Sequence, residues 1–564
     1  MRSKFIACLL CACMVFSLAA LAGCGGNQEA PAPQTNDPGA AGTPGNAQGG
    51  GQSAGQGAQG GAPAEAQDPG GPQYGGTLRM AIISTVATPG YTPLATTNAS
   101  LIYTRVSYES LLIYGETGEL QPLLATSWTT NPDDPSITWT LRQGVQFSDG
   151  ETFNANAVKA NVEAYQANNR SEVMSIVSMD IINDYEIKMN LSHWNSSLLE
   201  SIGFFVLYMS PKAMEQGEES LYTTTVGTGP FILSEFVTNI SAAYVRNDNY
   251  WQEGKPYLDG VRINVIAETA TMEAAFVAEE YDLIAAVSTE MSYDLKTRYP
   301  DKFTSGEYIQ VANRSGQGLV STGLIPASYD PSSPWADARV RRALAYAIDT
   351  DALIAAFTHG NAIATNQWAV PGAATYNNAL VAPTYDPARA RELLAEAGYA
   401  NGFDTTISAS GSADMHTAIA AMLTDVGIRT TVNIIDGATF FGYMAGTWDG
   451  LTIHAATVAP DLGLWMGRHL GDDATFYANG ITRPREAVNL LEQIRTARTE
   501  QEKLALSMDM QQLIYNGDDG LMVFGRILYV APMQVIKQNW LHNDSFSVNF
   551  DGTHVSIADA WIGG

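Results

Sequence analysis

A sharp change in composition near Tyr74 divides the chain into two parts that differ in their capacity to fold. Residues 25–73 consist almost entirely of Gly, Ala, Pro, Gln, Asn, Asp and Ser. Such a segment buries too little apolar surface to offset the entropy lost on ordering, so we expect a flexible tether. The remainder, from Tyr74 to Gly564, is longer than one hydrophobic core usually supports, which predicts two or three domains.

The segment before the tether has the features of a secretory signal. Arg2 and Lys4 precede an apolar stretch that ends in the run Leu21-Ala22-Gly23-Cys24, which is similar to a bacterial lipobox. We therefore predict a signal peptide over residues 1–23 and acylation of Cys24, which would anchor the protein to the bacterial cell membrane on its extracytoplasmic side. The alternative is a plain signal peptide followed by an incidental cysteine.

Cysteine usage and charge exclude several classes of protein. The other cysteines, Cys8, Cys11 and Cys13, all lie inside the predicted signal, so the mature chain has no disulfide and no cysteine-based zinc site. The formal net charge of −28 opposes binding to nucleic acid, and we exclude that partner.

The body of the chain carries no motif of a known catalytic centre. From Tyr74 onward it contains no P-loop, no G-x-S-x-G, no H-E-x-x-H and no G-x-G-x-x-G motif. The seven histidines are scattered, and none lies three to five residues from another. We therefore expect a protein that is not an enzyme and that has no cofactor and no bound metal.

Local patterns predict an alternation of strands and helices. Strands are expected at residues 77–83 and 136–141, where β-forming residues are enriched. Helices are expected to begin at Asn154 and at Asp337, the second with Ile354 as the last residue of its buried side and with its arginines mostly outside. Further helices are predicted over residues 386–398 and over residues 485–515.

Eight short motifs follow one another in order along the body. They are Tyr74–Arg79, Pro122–Trp128, Trp139–Gly150, Gly227–Phe231, Arg246–Trp251, Lys255–Asp259, Asp337–Asp349 and Leu393–Tyr399. In this order they resemble the family 5 extracellular solute-binding proteins, which are the dipeptide, oligopeptide and nickel receptors of ABC importers. We interpret Arg142, Asp149, Asp259 and Asp349 within them as structural residues, and the glycines of Gly227–Phe231 as positions that need a positive φ.

The resemblance implies an α/β, two-lobed periplasmic-binding-protein-like fold of type II. It places the chain in the large peptide-receptor cluster, with an extra subdomain in lobe one. The expected bounds are residues 74–320 for lobe one, with the subdomain at about 109–218, residues 321–514 for lobe two, and residues 515–564 for a C-terminal return to lobe one. The lipidated Cys24 and the tether occupy residues 24–73.

The resemblance also implies a ligand site at the junction of the lobes. The candidate ligand-binding residues are Trp368, Trp448, His454, Thr457, Asp461 and Trp465. Peptide-binding members carry an acid that pairs with the α-ammonium of the peptide, and this position falls at Thr457 or Val458 here. Core packing is the alternative for each tryptophan, and a hydrogen-bonded core residue is the alternative for His454.

The missing acid predicts weak binding of simple di- and tripeptides and favours a neutral ligand. A peptide, an oligosaccharide and a metal chelate all remain open as ligands. The predicted function is that of a monomeric, lipid-anchored receptor that captures a small ligand and delivers it to an ABC permease. The alternative function is that of a ligand-presenting sensor of the same fold with no role in transport.

Overall fold

The chain divides into two units, residues 1–68 and residues 69–564, and all described residues lie in the second unit. The computed structural model describes residues 71–83, 88–95, 98–114, 119–287, 289–305, 319–369, 371, 373–410, 413–436, 439–440, 442–443, 446–457, 461–472, 474, 476–477, 479–532, 534–542 and 557–563. The predicted signal peptide, Cys24 and the tether up to residue 70 lie outside these residues, as does Val458.

A seven-stranded sheet, here called the first sheet, organises the first lobe. Its strands in spatial order are Phe303–Ser305, Gln534–Gln538, Leu283–Val287, Thr77–Ile82, Gly260–Val265, Ser241–Arg246 and Phe231–Val237. The central strand pairs in parallel with both of its neighbours, whereas the outer pairs are antiparallel. Leu78, Met80 and Ile82 of the central strand are buried, which confirms the strand predicted there.

A six-stranded sheet, the second sheet, organises the second lobe. Its order is Ile363–Ala364, Arg526–Pro532, Leu319–Pro326, Leu451–Thr457, Phe403–Ala409 and Ile428–Ile434. The strand Phe403–Ala409 is parallel to both neighbours, and the remaining pairs are antiparallel. Helices cover both faces of the sheet and enclose two apolar clusters.

A four-stranded antiparallel sheet, the third sheet, lies between the first two strands of the first lobe in chain order. Its order is Ala125–Asn131, Ser136–Leu141, Glu186–Leu191 and Ile176–Asn183. Residues 111–208, here called the third-sheet region, share one apolar cluster around the fully buried Trp139. Two short ladders, Leu112–Tyr114 with Leu120–Pro122 and Leu541–His542 with Trp561–Ile562, complete the strands of the described residues.

The helices connect and cover these sheets. The α-helices are Asn98–Thr104, Ala155–Ala167, Leu198–Phe205, Pro211–Met214, Thr269–Val277, Thr289–Arg298, Ala338–Ala347, Thr350–Phe357, Pro387–Glu396, Asp414–Asp425, Leu462–Leu470, Arg485–Thr496 and Glu500–Tyr515. Short 3-10 helices span Thr92–Leu94, Glu218–Leu221, Pro334–Ala336 and Ile557–Asp559. Among the described residues, none of these helices has the length and apolar character needed to cross a membrane.

Helix starts predicted from capping residues are confirmed. Asn154 Oδ1 accepts hydrogen bonds from the backbone N–H groups of Asn156 and Ala157, at 2.9 and 3.1 Å. Asp386 caps Pro387–Glu396 in the same way. These side chains satisfy backbone donors that the first helical turn leaves free, so the signal is local and readable from sequence.

Two helices predicted as continuous are each interrupted. The helix that starts after Asp337 ends at Ala347, and a second helix, Thr350–Phe357, begins after Asp349, whose side chain caps it. The helix predicted over residues 485–515 is likewise two helices, and Thr499 caps the second of them. In both cases a side chain that accepts hydrogen bonds from the next turn starts a new helix.

The prediction that the arginines after Asp337 lie outside is wrong for Arg341, which is 2% exposed. Its guanidinium donates to the backbone carbonyls of Trp335, Ala336, Leu521 and Met522, at 2.8 to 3.1 Å. Burial lowers its pKa to about 10. The group therefore acts as an internal donor that fastens the loop at residues 521–522 to the helix.

The motif Gly227–Phe231 needs glycine for a reason that differs from the predicted one. Gly227 and Gly229 do not have a positive φ. A Cβ atom at Gly227 would lie 2.0 Å from the carbonyl oxygen of Ser107, and one at Gly229 would lie 2.6 Å from the carbonyl carbon of the same residue. Close approach of two backbone segments is therefore what excludes a side chain here.

The four motif residues interpreted as structural each have a contact within the scaffold. The contacts are Arg142 Nε to Leu123 O at 2.7 Å, Ser210 Oγ to Asp149 Oδ2 at 2.7 Å, Arg246 to Asp259 at 2.6 Å, and the capping of Thr350–Phe357 by Asp349.

The chain passes from the first sheet to the second after Ser305 and re-enters the first sheet at Gln534. The strand Arg526–Pro532 still belongs to the second sheet. We therefore propose that the return to the first lobe begins near residue 533 rather than at residue 515. The other predicted lobe bounds stay a proposal.

Candidate functional site

A cavity of about 400 Å³ lies where the third-sheet region meets the second lobe. The third-sheet region supplies its wall through Tyr114, Glu119, Leu120, Trp128, Ser196, Leu199 and Glu200. The second lobe supplies Ala373, Ala374, Thr375, Asp461, Leu462, Glu500, Lys503, Leu504 and Ser507. Because both bodies contribute side chains, a molecule held here would contact them together.

Asp461 lies at the centre of the contact between the two bodies. Its side chain caps Leu462–Leu470, where Oδ1 accepts a hydrogen bond from the backbone N–H of Leu464 at 2.8 Å. The same oxygen accepts a hydrogen bond from Ser197 Oγ of the third-sheet region at 3.0 Å. The other oxygen, Oδ2, accepts from Lys503 Nζ. The side chains of Asp461, Ser197 and Lys503 are all buried.

Glu200 approaches this ion pair from the helix Leu198–Phe205. Its side chain is 4% exposed, and Oε1 accepts a hydrogen bond from the hydroxyl of Tyr114. Burial raises the pKa of the Glu200 carboxyl to about 8, and the nearby negative charge of Asp461 adds to the rise. Lys503 and the Tyr114 hydroxyl act in the opposite direction. At neutral pH this carboxyl is therefore mostly protonated.

Lys503 balances the negative charges around it. Burial by itself would lower the pKa of its ammonium, but the charges of Asp461, Glu500 and Glu200 outweigh that effect and the pKa is raised. The ammonium therefore stays charged at neutral pH, and Asp461 with Lys503 forms a buried ion pair.

A second set of contacts joins the third-sheet region to the end of the helix Arg485–Thr496. Trp194 Nε1 donates to the carbonyl oxygen of Ala497 at 2.9 Å. Ser196 donates through its backbone N–H to Arg495 O at 2.6 Å and through Oγ to Ile494 O at 2.9 Å. These donors satisfy carbonyls that a helix C-terminus leaves free, so the two bodies meet in a specific alignment.

The structure brings one of the six predicted ligand-binding residues, Asp461, to this cavity. Trp368 and Trp465 are 1% and 6% exposed and stack on each other with ring centroids 3.4 Å apart. Trp448 is 6% exposed and packs edge to face on Tyr477. All three tryptophans belong to an apolar cluster of the second lobe, and their role as ligand contacts stays a prediction.

His454 and Thr457 lie on the strand Leu451–Thr457, and their side chains are outside the described part of the structure. Their predicted contacts with ligand remain predictions.

The sequence reasoning missed Glu200, Lys503 and Tyr114. Two of them left a signal. Glu200 is the one acid in the otherwise apolar helix Leu198–Phe205, and such an isolated acid indicates a buried carboxyl. Lys503 stands at helical spacing from the buried Ser507, Met510 and Ile514, which places it on the inner face of its helix.

Comparison with known proteins agrees with this architecture. The family model described as "Bacterial extracellular solute-binding proteins, family 5 Middle" matches residues 119–478. The chain belongs to this family. The resemblance seen in the eight motifs is thereby confirmed.

Two curated relatives show how far the likeness in sequence extends. Heme-binding protein A of Haemophilus influenzae is 28% identical over 317 residues, covering 51% of this chain and 55% of that protein. The glutathione-binding protein GsiB of Escherichia coli K12 is 28% identical over 339 residues, covering 58% of this chain and 64% of that protein. The chain thus matches between about half and two-thirds of the length of these relatives.

A solved structure matches almost the whole described body. The ABC transporter-associated periplasmic binding protein DppA of Helicobacter pylori, in complex with the peptide STSA, superposes with a TM-score of 0.67. It is 21% identical, and the match covers 87% of this chain and 99% of that chain. This likeness confirms the predicted two-lobed α/β periplasmic-binding-protein-like fold.

Proposed function

We propose that this protein is a non-enzymatic, extracytoplasmic receptor that binds a small ligand between its lobes and delivers it to an ABC import permease. The observation that carries the proposal is the cavity lined by the third-sheet region and the second lobe together. Membership of the solute-binding family supports it. The ligands named for relatives, which include heme, glutathione and a peptide, make a peptide or a chelate the first candidates.

Ligand binding is tested by a thermal-shift screen of short peptides, oligosaccharides and metal chelates. A ligand present at 100 times its dissociation constant adds about 2.7 kcal/mol to the free energy of unfolding. Ala374→Trp narrows the cavity and is expected to abolish the shift, whereas Ala379→Trp, an exposed position away from the cavity, is the matched control. A ligand that binds Ala374→Trp and the native chain equally would contradict the proposed site.

Delivery to a permease is tested by uptake. A strain that lacks the gene is expected to lose uptake of the ligand identified in the screen, and the native gene is expected to restore it. Unchanged uptake with verified binding would contradict delivery and favour the sensory alternative.

The proposed location depends on Cys24. We propose that Cys24 is acylated and that residues 25–73 act as a tether, which keeps the body close to the membrane surface. We also propose that the body is a monomer. Cys24→Ala is expected to give an unacylated protein that no longer partitions with membranes. An acylated Cys24→Ala variant in the membrane fraction would overturn the anchor.

A further inference from the structure

The cavity between the third-sheet region and the second lobe is strongly acidic. Its acidic and basic lining residues among those described are four carboxylic acids, Glu119, Glu200, Asp461 and Glu500, and one lysine, Lys503. With Glu200 mostly protonated at neutral pH, three negative charges surround one positive charge. The remaining wall is largely apolar and includes the aromatic side chain of Trp128. A cavity with this balance repels an anionic ligand and attracts a cationic one.

The four carboxylates differ in what they already bind. Asp461 uses both oxygens, since Oδ1 accepts from Ser197 and Leu464 and Oδ2 accepts from Lys503. Lys503, the one cation among the described lining residues, is therefore already paired. Asp461 is a structural acid that holds the two bodies together, and little of its charge is left for a ligand.

Glu119 and Glu500 are exposed, so solvent screens their charges. Glu200 is the buried carboxyl that remains. Its Oε1 accepts a hydrogen bond from Tyr114, whereas Oε2 accepts none from the described residues, and Glu200 lines the cavity. An acid held in this way has an oxygen available to a ligand.

We propose that the ligand of this cavity carries an ammonium or guanidinium group and that Glu200 is the carboxylate that pairs with it. The inference rests on the proposed function, since it assigns a chemical class to the ligand of the same site. It also reverses the expectation of a neutral ligand. The acid that is missing at Thr457 and Val458 in the second lobe is replaced by one from the third-sheet region.

The pairing of Glu200 with a cation depends on pH, because Glu200 is protonated in the empty site at neutral pH. Glu200 faces Tyr114, Asp461, Lys503 and Glu500, and in these surroundings its pKa is raised to about 8, chiefly by burial. At neutral pH the empty site therefore holds a protonated Glu200 beside an ion pair. A bound cation stabilises the ionised form, so Glu200 releases its proton to solvent when the cation binds.

The experiment uses peptide pairs that differ in one charge. The probes are N-acetylated, C-amidated peptides of two to four residues that contain arginine, and the same blocked peptides with neutral citrulline in its place, so that the guanidinium is the only charge in which they differ. Because the guanidinium stays charged throughout, any pH dependence belongs to the protein. We expect arginine peptides to bind at least about tenfold more tightly than their citrulline counterparts, and to gain about tenfold in affinity between about pH 6.5 and about pH 8.5.

Proton release is measured on the native chain by calorimetry at about pH 6.5 in two buffers of different ionisation enthalpy, and close to one proton per ligand is expected. Glu200→Gln is expected to weaken the binding of arginine peptides by about tenfold or more and to abolish the proton release. The matched control is Glu215→Gln, at an exposed position that does not line the cavity. Equal binding of both peptide sets, or binding without proton release, would overturn the inference.

The same screen separates the two proposals. If only neutral or anionic probes bind in the cavity, the receptor function stands and the cationic ligand is wrong. If no probe of any charge binds, both the receptor function and the inference of a cationic ligand are wrong.

Discussion

Ser197 of the third-sheet region donates a hydrogen bond through Oγ to Oδ1 of Asp461 in the second lobe, at 3.0 Å. The same carboxylate oxygen caps the helix Leu462–Leu470 through the N–H of Leu464. One buried side chain therefore fixes a helix within its own lobe and also fixes the position of the neighbouring body. We predict that closure of the two bodies around the cavity depends on that carboxylate.

Ser197→Ala is expected to weaken ligand binding. A hydrogen bond to a charged group contributes about 1.5–3 kcal/mol, so a ligand that requires closure should bind roughly tenfold or more weakly, as measured by calorimetry. Ser178→Ala is the control, since Ser178 is exposed on the third sheet and its Oγ accepts a hydrogen bond from Asn190 of the same sheet. Native affinity in Ser197→Ala would show that closure does not use this contact.

Lys503→Met is expected to destabilise the fold by about 3–5 kcal/mol, because it leaves Asp461 buried without its cation. Urea denaturation measures the loss. Adding Asp461→Asn to the variant should recover part of it. Lys188→Met, which breaks an exposed pair with Asp134, is the control and should cost about 1 kcal/mol or less. Similar losses in the two lysine variants would count against a buried ion pair.

Glu200→Gln is expected to reduce the dependence of stability on pH. The folded pKa of Glu200, about 8, lies above its ordinary value of 4.5. Its contribution to stability is therefore fully present below about pH 4.5 and is lost as the pH rises through 8. Across that window, the free energy of unfolding of the variant relative to that of the native chain should rise by at most roughly 1.4 kcal/mol per pH unit.

The measurement is the free energy of unfolding at several pH values between about 5 and about 9. Glu109 is also buried and has a pKa raised to about 7, so it keeps a slope of the same sign in the variant. The control is Glu215→Gln, which removes an exposed carboxyl that does not line the cavity. Parallel profiles for the native chain and Glu200→Gln would contradict the raised pKa.

Gly227→Ala is expected to destabilise the protein by more than about 2 kcal/mol, since the added Cβ would lie 2.0 Å from Ser107 O and the backbone must move. Gly442→Ala is the control, because an added Cβ there meets nothing within 4 Å. Thermal unfolding of both variants tests the difference. Unchanged stability of Gly227→Ala would show that the two segments separate easily.

Local signals were sufficient for much of the scaffold. The helix starts at Asn154 and Asp386 follow from side chains that bond to N–H groups two or three residues away, so neighbouring sequence contains the cause. The break before Thr350 had the same kind of signal in Asp349, but the apolar periodicity continued across it and concealed the new helix.

The burial of Arg341 and the restriction at Gly227 have causes far away in the chain. Arg341 is satisfied by carbonyls at Leu521 and Met522, and Gly227 is restricted by Ser107. No local pattern contains these partners. The family motifs gave the fold because their order along the chain reflects the whole architecture.

The candidate site was the least predictable part for the same reason. The resemblance predicted a site at the junction of the lobes, but the six candidate residues all came from the second lobe, and of these Asp461 lines the cavity. Glu200 and Tyr114 come from the third-sheet region. A site built from two bodies requires their relative placement, which depends on contacts such as that of Trp194 with Ala497.

The strand Gln534–Gln538 lies between Leu283–Val287 and Phe303–Ser305 in the first sheet. A segment near the end of the chain is therefore an internal member of the lobe that the beginning of the chain starts to build. During synthesis, which proceeds from the N-terminus, the second sheet has all its strands before the first sheet receives this one. A chain that stops after Pro532 would leave Leu283–Val287 as an open edge, which invites pairing with other chains. Completion of synthesis thus becomes a condition for a soluble first lobe.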